Sequence, residues 1–263
     1  MAPIPGWSVT AHYRDYYVGK APRYDPITDA RYGVVLDRCE RLHRRGLLLD
    51  VGCGAGDMLL SAHRRGWRVI GHDVSQSARY LATEVGLRSG IRFDLRGGDI
   101  LHADLPDGSV AAITLIEVIE PVDDPLAVLR RCWRLLELGG VLYLTTPNYN
   151  SLTRRLIGDA WRGLHPDHLH LFTPHSLRFA LEASGFLVRR TLVSKNILLP
   201  EMILKRWRRR ADSPHDHEAF LMAQALRRHI EQRRVLLLLK GSLNAVLRWT
   251  QLGDTLEAYA VKC

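Results

Sequence analysis

The chain has 263 residues, of which 46% are apolar and 25% charged, with a formal net charge of +9; this is enough for one large α/β domain with an insertion, or for two small ones. No apolar run approaches the ~20 residues of a membrane-spanning helix, and the start, MAPIPGWSVT, lacks the charged and apolar regions of a signal peptide. Cys39, Cys53, Cys132 and Cys263 are scattered without C-x-x-C spacing, which argues against a disulfide framework or a zinc site and fits a reducing cytoplasm.

Residues 1–46 begin with an aromatic, proline-bearing arm (Trp7, Tyr13, Tyr16, Tyr17, Tyr24) and continue as a helix from about Ile27 to His43. The tyrosines are either half-buried spacers or a lid over a ligand, with Tyr17 a lid candidate. Leu47 to Met58, LLLDVGCGAGDM, reads as a strand buried on both faces that breaks into a glycine turn and then a helix. Such a turn brings bare backbone (Gly52, Cys53, Gly54, Gly56) and a helix N-terminus up to a ligand. Its spacing is G-x-G-x-G, with Asp57 where a dinucleotide fingerprint needs a third glycine, and no Gly-Lys-Ser/Thr follows to make a P-loop.

Trp67 to Asp73 is the second expected strand, ending in an acid 21 positions after Gly52. A carboxylate there can accept from both hydroxyls of a ribose, with Val74 beside it. The alternative is a helix-terminal acid, with Ser75 as the actual cap. Gln76 to Val85 is the next helix and Ile91 to Leu95 the third strand, leading to Gly97-Gly98-Asp99-Ile100. Val110 to Val118 is the fourth strand, with Glu117 near the C-terminal end, where open parallel sheets bind ligands. Asp123-Asp124-Pro125 caps a helix from Leu126 to Leu136, and Val141 to Thr145 is the fifth strand. Strands alternating with helices of this length imply right-handed crossovers and a parallel sheet.

An acid (Asp50) ahead of the alternating glycines resembles motif I of the class I S-adenosylmethionine (SAM)-dependent methyltransferases. The runs EVIEPVDDPLAVLRRCWRLLELGGVLYLTTPN and DHLHLFTPHSLRFALEASGF resemble the family typified by ubiquinone and sugar O-methyltransferases, and LGDTLEAYAVK resembles its closing antiparallel strand. The resemblance covers roughly residues 45–195. It implies a Rossmann-like, seven-stranded, mostly parallel sheet with flanking helices and SAM as cofactor. It further implies that Asp50 supports the methionine end of SAM, and that Asp99 accepts from the adenine amino group while the Ile100 N–H serves a ring nitrogen. Two places depart from the family pattern: Val110-Ala111-Ala112-Ile113 stands where the family usually has an aspartate opening the fourth strand, and Pro121 stands where many members have histidine.

GLHPDHLHLFTPHSL supplies His165, His168, His170 and His175 in a loop leading into a helix that starts at Thr173 or Pro174. The histidines either tie down the loop through backbone hydrogen bonds or serve catalysis, and no spacing here fixes a tetrahedral metal set. Methylating an alcohol or phenol releases a proton, which a neutral histidine accepts near pH 7. His168 matches the histidine of the family's "HL…F" pattern and is the first choice as base, ahead of His165 and His170.

Between a sixth strand (Phe186 to Val193) and a last one (Leu256 to Val261) lie about 60 residues that a minimal fold does not need. Residues 196–251 hold 11 Lys/Arg against 5 Asp/Glu, net 11 − 5 = +6, leaving +3 for the rest of the chain. Three readings fit: a helical cap or homodimer face, a surface for an anionic membrane face or lipid-linked substrate, or a nucleic-acid surface. Without a recognisable RNA-binding motif, nucleic acid ranks last. The expected organisation is an arm and helix (1–46), a SAM-binding core (47–195), a basic helical insertion (196–251) and a closing strand (252–263). The expected function is O-methylation of a small or lipid-linked, sugar- or quinone-like acceptor in the cytoplasm or at the inner face of the membrane. The rival is a non-catalytic SAM- or nucleotide-binding scaffold.

Overall fold

A computed structural model describes residues 26–161, 163–165, 167–194, 246–247 and 249–263. Tyr17, the aromatic arm and most of the basic insertion lie outside the described residues.

Helix α1 (Pro26–Leu42) leads into β1 (Leu47–Val51), which is followed by α2 (Asp57–Arg64), β2 (Arg68–His72), α3 (Gln76–Arg88) and β3 (Asp94–Arg96). The chain continues through β4 (Val110–Ile116), α4 (Pro125–Leu135), β5 (Leu136–Pro147), α5 (Leu152–Ile157), α6 (Pro174–Ala183), β6 (Phe186–Ser194) and β7 (Thr255–Lys262). The strands form one seven-stranded sheet in the order β3-β2-β1-β4-β5-β7-β6. β7 slots between β5 and β6 and runs antiparallel to both, while the pairs from β3 to β5 are parallel. The order reverses at β1, so the C-terminal ends of β1 and β4 flank the crevice where such sheets bind ligands.

The period-2 alternation of the central strands explains why both faces are covered. Leu49, Val51, Ile113, Leu115, Leu142 and Leu144 point to one side, against Leu129 and Cys132 of α4 and Leu177 and Leu181 of α6. Leu48, Ala112, Val141 and Tyr143 point to the other, against Val35, Leu36 and Cys39 of α1 and Met58 and Ala62 of α2. Caps set the helix starts. Ser75 Oγ accepts from the Ala78 N–H, Asp124 Oδ1 from Ala127, and Thr173 forms a reciprocal capping box with Ser176.

Several boundaries differ from the sequence reading, and three of them are strand ends in the parallel part of the sheet with a clear cause. β3 is three residues, Asp94–Arg96, rather than Ile91 to Leu95, because only these pair with Ile70–His72 of β2. Phe93 instead packs toward Gly56 and Gly86. β5 starts at Leu136, directly after α4. Leu136 pairs with Val110, the register then shifts, and Gly139 at φ 79° lies within the irregularity. β4 stops at Ile116, where Glu117 adopts φ 56°, a left-handed conformation that ends the extended run.

Candidate active site

The turn after β1 is built from its glycines. Gly52, Gly54 and Gly56 all have positive φ (72°, 51° and 82°), which glycine alone adopts without strain. At Gly52 a Cβ would also overlap Val118 Cγ2. The N–H groups of Gly52 and Cys53 both donate to the His72 carbonyl, at 2.7 and 3.2 Å, so the β1–β2 pairing runs on into the turn. Gly56 caps α2 without a side-chain hydrogen bond, and Asp57 and Met58 of the helix's first turn line the adjoining cavity.

Against this turn lies a cavity of about 230 Å³, lined by Tyr32, Asp50, Gly52, Cys53, Gly54, Ala55, Asp57, Met58 and Ile116. Its electrostatics are acidic. Asp50 is buried, stands opposite Thr114 in the β1–β4 register, and accepts from Thr114 Oγ1 at 2.5 Å. Burial pushes its carboxyl up to about 7, with the nearby Asp73 and Asp57 carboxylates adding to the rise. The Tyr32 hydroxyl is held strongly protonated, first by burial and then by the charges of Asp50, Asp57 and Glu117. A cavity lined by two acids, Asp50 and Asp57, beside a helix N-terminus suits a ligand that carries both cationic groups and a carboxylate. SAM, with its ammonium, sulfonium and carboxylate, has that charge pattern.

Asp73 and Asp99 stand outside the cavity lining. Asp73 bridges the turn: Oδ2 accepts from Gly54 N at 2.9 Å and Oδ1 from Ser75 N at 2.8 Å. Ser75, not Asp73, caps α3, so the acid is not needed as a cap. Burial raises its carboxyl, opposed by those two backbone donors, and each oxygen retains a second lone pair. Asp99 is exposed and accepts from Leu101 N at 2.9 Å, starting a short 3-10 turn in which Ile100 is buried. Val74 follows Asp73 and is half-buried.

The second cluster forms beyond β4 and β5. Glu117 N donates to the Thr145 carbonyl, and the Glu117 charge acts on Tyr32, Glu120 and His168 alike. His168 Nδ1 lies 3.1 Å from the Gly163 carbonyl. A carbonyl only accepts, so Nδ1 carries the proton and Nε2 keeps its lone pair. Burial lowers the ring's pKa, which holds it neutral. His165 is exposed, and its Nδ1 lies 2.8 Å from Asp167 Oδ2, closing the loop on itself. The His170 N–H donates to the Glu120 carbonyl at 2.9 Å. Among the described residues no cluster of three or more His, Cys, Asp or Glu could hold a metal ion.

Tyr32, Asp57, Ile116 and Glu120 were not singled out from the sequence. Tyr32 sits in the apolar stripe of α1 and Glu120 inside the run IEVIEP, and nothing in their spacing distinguishes them from packing or loop residues.

A sequence model described as a methyltransferase domain matches residues 27–191, well over half of the chain. A ubiquinone biosynthesis O-methyltransferase of Aeromonas salmonicida is 29% identical over 192 residues, 70% of this chain and 76% of that one. One of the same name from Pectobacterium atrosepticum is 33% identical over 126 residues, 48% of this chain; here the match spans only about half, 52%, of the relative. A SAM-dependent methyltransferase of Archaeoglobus fulgidus superposes with a TM-score of 0.59 at 17% identity, covering 97% of this chain and all of that one. The chain therefore belongs to the methyltransferase-domain family and is, by family and fold, a SAM-dependent methyltransferase.

Proposed function

We propose that the chain transfers the methyl group of SAM to an oxygen of a quinone-like or phenolic acceptor, and that residues 196–251 meet the membrane face from which a lipid-linked acceptor is drawn. The observation that carries the reading is a neutral, half-buried His168, its Nε2 lone pair available, with the charge of Glu117 acting both on it and on Tyr32 of the acid-lined cavity. The relatives' shared name supports the choice of acceptor.

In this reading the backbone of Gly52, Cys53, Gly54 and Gly56 and the first turn of α2 receive the carboxylate of SAM, while Asp50 holds its ammonium. Asp73 and Val74 hold the ribose, and Asp99 and the Ile100 N–H hold the adenine. Tyr17 serves as lid. SAM supplies a methyl group on a cationic sulfur. The protein aligns the acceptor oxygen with that carbon, and His168 Nε2 takes the hydroxyl proton as the oxygen is methylated. His165 and His170 are the alternates for that role, with Glu117 close by. Among the described residues no helix is long and apolar enough to cross a membrane, so contact with lipid would be peripheral.

Calorimetry with SAM and S-adenosylhomocysteine, beside NADH, tests the cofactor. Micromolar binding of the sulfur nucleosides and none of NADH is expected. Methyl transfer to a phenol or catechol then tests the reaction, and turnover on any acceptor excludes the non-catalytic scaffold. Binding of NADH alone would sink the proposal.

A further inference from the structure

The turn that follows β5 joins two other parts of the chain. Asn148 is buried there. Its Nδ2 donates to the carbonyls of Gln251 and Gly253 at 3.1 and 2.7 Å, and its Oδ1 accepts from Asn150 N at 3.0 Å. Carbonyls only accept, so the amide can face them only through its nitrogen. The contact continues on both sides: the Asn148 N–H donates to the Asp254 carbonyl and the Leu152 N–H to that of Leu252, each at 2.8 Å. Thr153 Oγ1 donates to Asp254 Oδ2 at 2.8 Å. Residues 251–254 lead out of the basic insertion into β7, and Gln251 is held there at φ 57°, a left-handed conformation costly for a side chain with a Cβ.

The same turn holds both ends of the histidine loop. Asn148 forms a parallel bridge with Phe172, and the Tyr149 N–H donates to the Phe172 carbonyl at 2.8 Å. At the other end, the buried Trp161 meets the Tyr149 ring edge-on, with centroids 6.5 Å apart. His168 lies between these anchors, and the backbone bond from His170 to Glu120 is a further tie. We propose that Asn148 is a positioning residue: its side chain clamps the turn after β5 against residues 251–254, and the turn so fixed sets the place of the histidine loop and of His168. Truncating the amide would leave two carbonyls without their donor and free the turn that anchors the loop. The consequence for catalysis rests on His168 as the base in the reading above.

The test is Asn148→Ala in the full chain, with Thr153→Val as a milder break of the same clamp. Val261→Ala, a packing loss at the far end of β7, is the control. Two things are read: kcat beside SAM affinity, and the NMR titration of the His168 ring, its signal assigned with His168→Gln. Burial lowers the pKa of this ring, and the charges that act on it, those of His165, Glu117 and Asp167, are kept in every variant. Asn148→Ala should loosen the loop, raise the ring's pKa toward about 6.5 and lower kcat by about tenfold to 100-fold. SAM affinity should not change, since Asn148 does not line the cavity beside the glycine turn. Thr153→Val should shift both readings the same way by less, and Val261→Ala should shift neither. If Asn148→Ala does not fold, Thr153→Val carries the test against Val261→Ala. An unchanged His168 titration, or an equal change in the control, overturns the positioning role. A raised pKa with unchanged kcat supports the positioning role and removes His168 as the base. If the wild type methylates no acceptor, the methyltransferase reading fails and the titration alone still decides the role of Asn148.

Discussion

The two halves of the crevice are built differently. At the ends of β1 and β2 the carboxyls are satisfied by the protein, Asp73 by the N–H groups of Gly54 and Ser75 and Asp50 by Thr114, while His72 Nε2 is buried without a partner among the described residues. At the ends of β4 and β5, Glu120 and His170 keep buried atoms without partners among the described residues, and Glu117 sits in left-handed backbone. The first half is held by backbone donors around the glycine turn, and the second by contacts between the ends of β4 and β5 and the histidine loop.

The sharpest break of the first half is Gly52→Ala. The positive φ and the overlap with Val118 should lower stability by about 1–3 kcal/mol and abolish SAM binding, as melting curves and calorimetry would show. A variant that binds SAM normally would mean that the turn does not receive the cofactor. In the second half, His168→Gln should lower kcat by about 10²–10³-fold with SAM affinity intact, the range of a lost general base. An unchanged kcat would move the base to His165, His170 or solvent.

Asp73→Ala should weaken SAM binding by about 1.5–3 kcal/mol through lost charge-assisted hydrogen bonds. Unchanged affinity by calorimetry would leave Asp73 with only its role of bridging Gly54 and Ser75.

SAM binding and stability should respond to pH in opposite senses. Asp50, pushed up to about 7, takes up a proton as pH falls and ceases to attract a cation. SAM binding should therefore weaken by roughly threefold to tenfold from pH 8 to pH 6, and Asp50→Asn should flatten that profile. Stability of the ligand-free chain runs the other way. A buried carboxyl whose pKa is raised on folding contributes stability that is fully present below its unfolded value near 4. That contribution is lost as pH rises through about 7 for Asp50 and about 8 for Glu120. The melting temperature should fall between about pH 4 and 8 and level off above, and Glu120→Gln should make the fall shallower and end it near pH 7.

The smallest effect on the crevice is expected from outside it. Neutralising Lys205 to Arg210 should reduce binding to anionic liposomes and leave SAM affinity unchanged. Equal liposome binding by both forms would return the insertion to a packing role.

The two halves were also unequally legible. The strand, glycine turn and helix around Gly52, the acid at Asp73 and the caps at Ser75, Asp124 and Thr173 are short-range features, in which neighbouring residues dictate one another's conformation. They appear in the structure at the positions expected. The three-residue β3 and the early start of β5 were not legible, because each is set by its partner strand: β2 selects Asp94–Arg96, and Val110 draws Leu136 into the sheet. Tyr32 escaped notice for the same reason. It reads as one more residue in the stripe of α1 until the fold sets it against Asp50 and Asp57.

The amino-acid order alone determined the alternation of strands and helices, the turn that only glycine can make, and the acids that follow β1 and β2, since these depend on backbone sterics and local hydrogen bonds. Only the tertiary structure decided which carboxyls are buried and neutral, which histidine nitrogen keeps its lone pair, and which polar atoms are left unmatched. Burial and hydrogen-bond partners are properties of distant segments brought together: Asp50 with Thr114, Thr146 with Glu120, and Glu120 with His170.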